Sequence, residues 1–271
     1  MQPKNFRLSV IGAGNMGSAL LGGVLSACLT SADNSVVCDI DNTRLERLTE
    51  QYGVQTSADA GEAAAQADVV LLAVKPQNLG DVSAVLRESL KEGQLVISIL
   101  AGKPVQALRE ALGDQAVIVR VMPNLPALIG CGVSAVAEDD IDPAYLELTE
   151  SILSTVGHVV RLPENLMDAV TALSGSGPGF VYLLVEAMAE AGAHVGIPRQ
   201  EARSLARQTF IGACRLMEES KETPEELRRR VTSPGGTTEA GICSFEEQDI
   251  RQVFKKALEH STSRARELGK G

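Results

Sequence analysis

The sequence predicts an α/β protein: an N-terminal, mostly parallel sheet wound with helices over residues 1–162, then an all-helical C-terminal domain over residues 163–271. Three observations carry this. Short apolar runs alternate with helical patterns through the first part, and no strand-like run of any length follows Leu162. The first apolar run also opens directly into the glycine-rich turn Gly12-Ala13-Gly14-Asn15-Met16-Gly17. Alternation of this kind builds right-handed βαβ units, and strands buried on both faces read as continuous apolar runs.

Strands are expected at 7–11, 35–39, 69–74, 95–99, 117–121, 133–137 and 156–162. Helices are expected between them at 16–28, 42–51, 59–67, 79–90, 104–112 and 143–154. In the second part the helical patterns cover 164–173, 177–195, 199–220, 224–232, 237–247 and 249–268. Within one of them Phe180, Leu183, Leu184, Ala187, Met188 and Ala191 recur at three and four, which predicts one buried stripe. A helical half this small is expected to complete its core against a second subunit.

The first βα turn has the composition of a Rossmann-type dinucleotide site. Gly12 permits the tight turn, Gly14 lets the backbone approach a diphosphate, and Gly17 permits close helix–strand packing. The diphosphate would rest on unpaired amides at a helix N-terminus, with Asn15 and Met16 in the same turn. A glycine pattern alone is weak, but here Val36-Val37-Cys38-Asp39 adds a second strand ending in an acid. Asp39 follows Gly17 at close to the roughly 20-residue spacing that brings a carboxylate to a ribose 2′-hydroxyl. With Asp41 beside it, Asp39 repels a 2′-phosphate, and only Arg44 and Arg47 offset that charge. NADH is therefore expected to be accepted, with the choice between NADH and NADPH left open.

Composition narrows the remaining classes. The 271 residues are 44% apolar and 22% charged, with a net charge of −10, and basic residues do not cluster with aromatics. Nucleic acid is an unfavoured partner. No apolar run approaches the roughly 20 residues of a membrane span. The stretch from Met1 to Arg7 has neither a long apolar core nor a cleavage site, so no signal peptide is expected. Cys28, Cys38, Cys131, Cys214 and Cys243 form no CxxC pair, and His158, His194 and His260 are dispersed. Such a set suits buried thiols in a reducing compartment, and the expectation is a cytoplasmic enzyme without a metal.

Other loops fall at the carboxyl edge of the predicted strands, where ligands of open α/β sheets gather. They are Val74-Lys75-Pro76-Gln77, Ser98-Ile99-Leu100-Ala101-Gly102 and Met122-Pro123-Asn124-Leu125-Pro126. Lys75 can place a charge beside a cofactor or be a plain solvated lysine. Asn124 presents an amide, although a rigid bend alone would explain its flanking prolines.

In the helical part, Ser174-Gly175-Ser176-Gly177-Pro178 precedes a long helix, for which capping is a sufficient explanation. The segment from Thr232 to Glu239, Thr-Ser-Pro-Gly-Gly-Thr-Thr-Glu, gathers hydroxyls and glycines at a helix start, and this favours a small carboxylate ligand over a plain capped turn. None of these loops holds a histidine to act as base for alcohol oxidation. A protonated cyclic imine needs only hydride, so the pattern leans toward imine reduction.

The chain closely resembles pyrroline-5-carboxylate reductases over essentially its full length. The carrying segments are 11–17, Ala73-Val74-Lys75-Pro76-Gln77, Val121-Met122-Pro123-Asn124, 168–178 and, most specifically, 227–240 around Val231-Thr232-Ser233-Pro234-Gly235-Gly236-Thr237-Thr238. The resemblance implies reduction of L-1-pyrroline-5-carboxylate to L-proline with NADPH or NADH. It implies that Ser233, Gly236 and Thr237 hold the substrate carboxylate, that Thr238 Oγ lies near the ring nitrogen as the catalytic group, and that Pro178 borders the pocket. It further implies Gly12, Gly14, Met16 and Gly17 at the diphosphate, with Lys75, Ala101 and Asn124 lining the cofactor. A dimer with intertwined helical domains, up to a pentamer of dimers, is implied as well.

The chain departs from the family's usual pattern at Leu125, often Thr, and at Gly179-Phe180, often Ala-Tyr. Two other readings stay open at this point. A related imine or hydroxyacid reductase would need a catalytic lysine in the second half, where Lys221, Lys255 and Lys256 read as solvated. A nucleotide sensor without turnover would show a degraded second pocket, whereas 232–238 is intact.

Overall fold

The structure is a computed structural model and describes residues 5–269. Residues 1–4, on which part of the signal-peptide expectation rests, and 270–271 lie outside the description. The first half runs β1 (Leu8–Ile11), α1 (Asn15–Ser26), β2 (Ser35–Cys38), α2 (Asn42–Tyr52), β3 (Gln55–Ser57), α3 (Ala60–Ala65), β4 (Val69–Leu72) and α4 (Leu79–Ser89). It continues with β5 (Leu95–Ser98), α5 (Val105–Leu112), β6 (Val117–Met122), β7 (Gly132–Ala137), α6 (Pro143–Leu153) and β8 (Gly157–Leu162). Then follow α7 (Met167–Val170), α8 (Gly177–His194), α9 (Arg199–Ser220), α10 (Pro224–Arg230), α11 (Thr237–Glu247) and α12 (Ile250–Gly269).

Among the described residues, eight strands form one sheet in the order β3-β2-β1-β4-β5-β6-β7-β8. All neighbours are parallel except β6 and β7, which pair antiparallel. The reason is the connection: only the short turn Leu125–Ile129 lies between those strands, too little chain for the crossover that a parallel pair needs. The expected mostly parallel sheet is present, with one strand the sequence did not announce. That strand, β3, has three polar residues and pairs only with β2 at the sheet edge, so no hydrophobic periodicity marks it. Strand order reverses between the two neighbours of β1, which opens the crevice for ligands at its carboxyl end. Apolar layers cover both faces of the sheet. Val10, Leu71, Ile97 and Val119 pack on α1 and α6 on one side, and Ile11, Val70, Val96 and Ile118 on α3, α4 and α5 on the other.

The chain divides into two compact units, one continuing through Ser176 and resuming at Ser261, the other from Gly177 to His260. The sequence reading places its boundary earlier, after Leu162. Residues 163–176 stay with the first unit because of what they touch. Met167 is fully buried against Ala135 and Ala137 of β7. Glu164 and Asp168 both reach the buried Arg120 of β6, at 3.3 Å and 3.4 Å.

In the second unit α8 and α9 approach closely through small residues: a Cβ on Gly192 would lie 3.3 Å from the Ala202 Cβ. Only Ala189, Ala202 and Ala206 are buried there. The stripe expected to be buried on α8 is not buried within the chain, since Leu183 is 62% and Met188 47% exposed. Tyr182, Leu205, Phe245 and Val253 are also exposed, so this unit holds its apolar surface outward rather than around a core of its own. The thiols need a correction too. Only Cys38 is buried; Cys28, Cys131, Cys214 and Cys243 are exposed, and all five are free. No helix among the described residues is long and apolar enough to cross a membrane.

At the amino edge of the sheet Arg7 and Asp68 strap β1 to β4. The Arg7 amide donates to Asp68 Oδ2 at 2.8 Å and its guanidinium to Oδ1 at 2.7 Å. The guanidinium hydrogen bond holds the Asp68 carboxyl below the usual carboxylate range. A depressed folded-state value means that the stabilisation is present at neutral pH and is lost as pH falls through that value. Because the pair is exposed, Asp68→Asn should lower Tm at pH 7 by no more than about 3 °C. Thermal melts from pH 7 down to about pH 3 should show that gap closing below about pH 4. A gap of constant size across that range contradicts the ion-pair account.

Candidate active site

The glycine turn lies at the carboxyl end of β1, the central strand of the crevice. Gly12 has φ +111°, and a Cβ there would sit 2.6 Å from the Ala73 carbonyl carbon, so the turn passes β4 at a distance only glycine tolerates. Gly17 packs against the Gly12 carbonyl in the same way. Gly14 differs: it is the N-cap residue of α1 without a side-chain cap, and the space where its Cβ would point is open. That open, uncapped helix N-terminus fits a diphosphate. Asn15 is exposed at the first position of α1, and Met16 packs against the core below.

Asp39 follows β2 and faces this turn. Its Oδ2 accepts the Ala13 amide at 2.6 Å, and its Oδ1 accepts the Asp41 amide at 2.9 Å. Arg44 lies 3.8 Å from Asp39 and 3.1 Å from Asp41, so one guanidinium serves two carboxylates. The carboxylate is thus fixed at the carboxyl edge of the sheet, with lone pairs left that could accept a hydroxyl. Its neighbour Cys38 carries a thiol pushed up to about 11, first by burial and then by the Asp39 and Asp59 charges, which keeps it protonated and inert.

The other loops reach the same edge. Lys75 is exposed and precedes the turn Pro76–Asn78. Ala101 is half-buried beside Gly102, and Gly102 is covered by Leu268 and Gly269 at the end of α12. Sequence reasoning missed that approach of the end of α12 to Gly102, because contacts between distant segments leave no local signal. Asn124 is buried, with its amide spent on Val133 and Ser174.

Ser233, Gly236, Thr237 and Thr238, with Pro178, belong to the second unit. Helix α11 starts at Thr237, and its N-cap residue Gly236 gives no side-chain cap. A Cβ at 236 would lie 2.5 Å from Ser233 Oγ, so glycine there leaves the serine hydroxyl room beside the helix start. Ser233 and Thr237 are exposed and Thr238 is half-buried. The cradle is narrower than the sequence suggests. Thr232 Oγ1 is spent on the Arg228 carbonyl at 2.6 Å, and the Gly235 amide donates to Glu239 at 2.7 Å. What stays available is Ser233, Thr237, Thr238 and the first amides of α11, which suits a small anion. Among the described residues no cluster of three or more His, Cys, Asp or Glu could hold a metal ion.

An open glycine turn at a helix N-terminus, beside a fixed β2 carboxylate, defines a Rossmann-type dinucleotide-binding protein. The comparisons with known proteins refine that class. A family described as pyrroline-5-carboxylate reductase dimerisation matches residues 164–268, and one described as NADP oxidoreductase, coenzyme F420-dependent, matches residues 7–102. The chain is 41% identical to a pyrroline-5-carboxylate reductase of Synechocystis over 98% of this chain and 99% of that one. It is 40% identical to that of Methanosarcina acetivorans, over 98% and 99%. Among solved structures, the Coxiella burnetii enzyme superposes with a TM-score of 0.92 at 35% identity, over 98% of this chain and all of that one. The chain belongs to the pyrroline-5-carboxylate reductase family.

Asp39 yields a direct test. Asp39→Ser removes the charge expected to disfavour a 2′-phosphate, so the ratio of kcat/KM for NADPH to that for NADH should rise about tenfold or more. An unchanged ratio in steady-state assays with both cofactors would remove Asp39 from cofactor selection.

Proposed function

We infer that this chain reduces L-1-pyrroline-5-carboxylate to L-proline with NADPH or NADH, the closing step of proline synthesis. The observation that carries the reading is the uncapped start of α11, where Ser233, Gly236 and Thr237 offer hydroxyl and amide donors to a carboxylate. It occurs in a chain whose other half holds an open dinucleotide turn.

When bound, the reduced nicotinamide supplies the hydride. The residues of this chain bind and orient. Gly12, Gly14, Asn15, Met16 and Gly17 receive the diphosphate, and Asp39 accepts the ribose hydroxyl. Lys75, Ala101 and the Asn124 loop border the cofactor edge. Ser233, Gly236 and Thr237 hold the substrate carboxylate, Pro178 walls the pocket, and Thr238 Oγ hydrogen-bonds the ring nitrogen. A protonated C=N carbon is already electrophilic, so hydride addition gives the secondary amine without a base, consistent with a site assembled from hydroxyls and amides.

Self-association fits the helical half, whose apolar side chains face outward. We assign the dimer to residues 163–271, with assembly up to a pentamer of dimers and a cytoplasmic location as the family-based expectation.

The assay is oxidation of NADH and of NADPH at about 340 nm, with and without L-1-pyrroline-5-carboxylate, followed by proline quantification. Substrate-dependent oxidation with one proline per cofactor is expected. Cofactor binding without oxidation would overturn the reading in favour of a sensor. Thr238→Ala should lower kcat by about tenfold or more while the NADH Kd stays within about twofold. Unchanged turnover would exclude Thr238 from the mechanism.

A further inference from the structure

Asn124 follows β6 at the cofactor edge, yet its side chain points away from a ligand role. It is 9% exposed, and although it precedes the turn Leu125–Ile129 it does not cap it. Its Oδ1 accepts the Val133 amide at 2.9 Å, and its Nδ2 donates to the Ser174 carbonyl at 3.2 Å. Those partners fix the orientation of the amide: an N–H must meet oxygen, and a carbonyl must meet N–H.

The Ser174 carbonyl has no α-helical donor. It lies in a π-helical turn, Thr171–Gly175, closed by the Ser176 amide on the Thr171 carbonyl at 2.9 Å. In a regular α-helix the Ser174 carbonyl would accept from the amide four residues on, and that residue is Pro178, which has none. Asn124 supplies the missing hydrogen bond from another element. Two further contacts bind the same turn. Gly175 packs on the Met122 side chain so closely that a Cβ there would overlap the methyl group. Ser176 Oγ lies 3.4 Å from Ser261 Oγ. Ser176 and Ser261 are the residues at which the chain leaves the first unit and re-enters it.

We propose that Asn124 is a positioning residue: its amide fixes the π-turn Thr171–Gly175, with which the first unit ends, rather than binding the cofactor. The proposal deepens the reductase reading and rests on it for the expected effect on substrate KM. π-turns persist where neighbouring groups hold them and are frequent at functional sites. Here the cofactor-edge loop provides that support, so one side chain joins the loop beside the cofactor to the segment that leads to the substrate residues.

Asn124→Asp is the test variant, because it keeps an oxygen for the Val133 amide while it removes the donor to Ser174 and turns a carboxylate oxygen toward that carbonyl. Asn124→Ala, which removes both bonds, is the second. Three quantities would be measured on the full-length protein: the Kd of NADH alone by fluorescence titration, amide hydrogen exchange over 171–180, and KM and kcat for L-1-pyrroline-5-carboxylate. In the aspartate variant, NADH Kd should stay within about twofold, exchange over 171–180 should quicken about tenfold, and substrate KM should rise about fivefold to tenfold. The same split is expected in the alanine variant. NADH Kd weakened tenfold with exchange over 171–180 unchanged would overturn the proposal and make Asn124 a direct cofactor ligand. The binding and exchange measurements need no turnover, so an inactive wild-type protein would refute the reductase reading without deciding the role of Asn124.

Discussion

Close passage of backbone at the carboxyl end of β1 is the constraint on which the rest depends. Ile11 stands level with Cys38 on one side and Leu72 on the other, so three strands end together. The chain then turns at Gly12, whose amide bonds the Cys38 carbonyl at 2.8 Å while Ala73 bonds Ile11 at the same distance. A side chain at residue 12 would displace β4, and one at residue 17 would push α1 off the turn. Because neither is present, α1 starts directly above the strand ends with Gly14 open and uncapped. The site is thus a by-product of tight packing: the residues that let the sheet and helix meet also leave donors facing outward.

Electrostatics work on that frame in two ways. Asp39 is held by two amides, Ala13 and Asp41, so its position belongs to the fold before any ligand arrives. Arg44 shares its charge between Asp39 and Asp41, which leaves the edge acidic. Elsewhere charge is structural. Arg120, buried in β6, draws Glu164 and Asp168 onto the sheet, and Glu164 Oε1 also caps the Val105 amide at 2.6 Å. That triad is why the segment after the last strand stays with the first unit.

Most of the fold was legible because strong periodicity and glycine punctuation coincide. The predicted helices 199–220 and 237–247 match α9 and α11 end to end, and the seven long strands lie within about two residues of their expected bounds. What escaped has identifiable causes. β3 is short, polar and on an edge, so it carries no period. The stripe on α8 was real as a pattern, but a sequence pattern reports which face is apolar and not whether the same chain covers it. In the candidate site the residue types at 232–238 pointed to an anion, while Thr232 and Gly235 proved to be committed to the flanking helices. Asn124 was legible as a loop residue. Its partners Ser174 and Val133 were not, because contacts between distant segments leave no local signature.

The chain passes out of the first unit at Ser176 and back at Ser261, and these two hydroxyls are 3.4 Å apart. Topologically, the helical unit is therefore an insert rather than a tail. A loop of one or two residues would span its two ends, so removal or exchange of the insert leaves the host sheet uninterrupted. Host and insert are then separable lengths of chain, although the sequence runs through both without a break. Chain connectivity thus makes the fold a cassette.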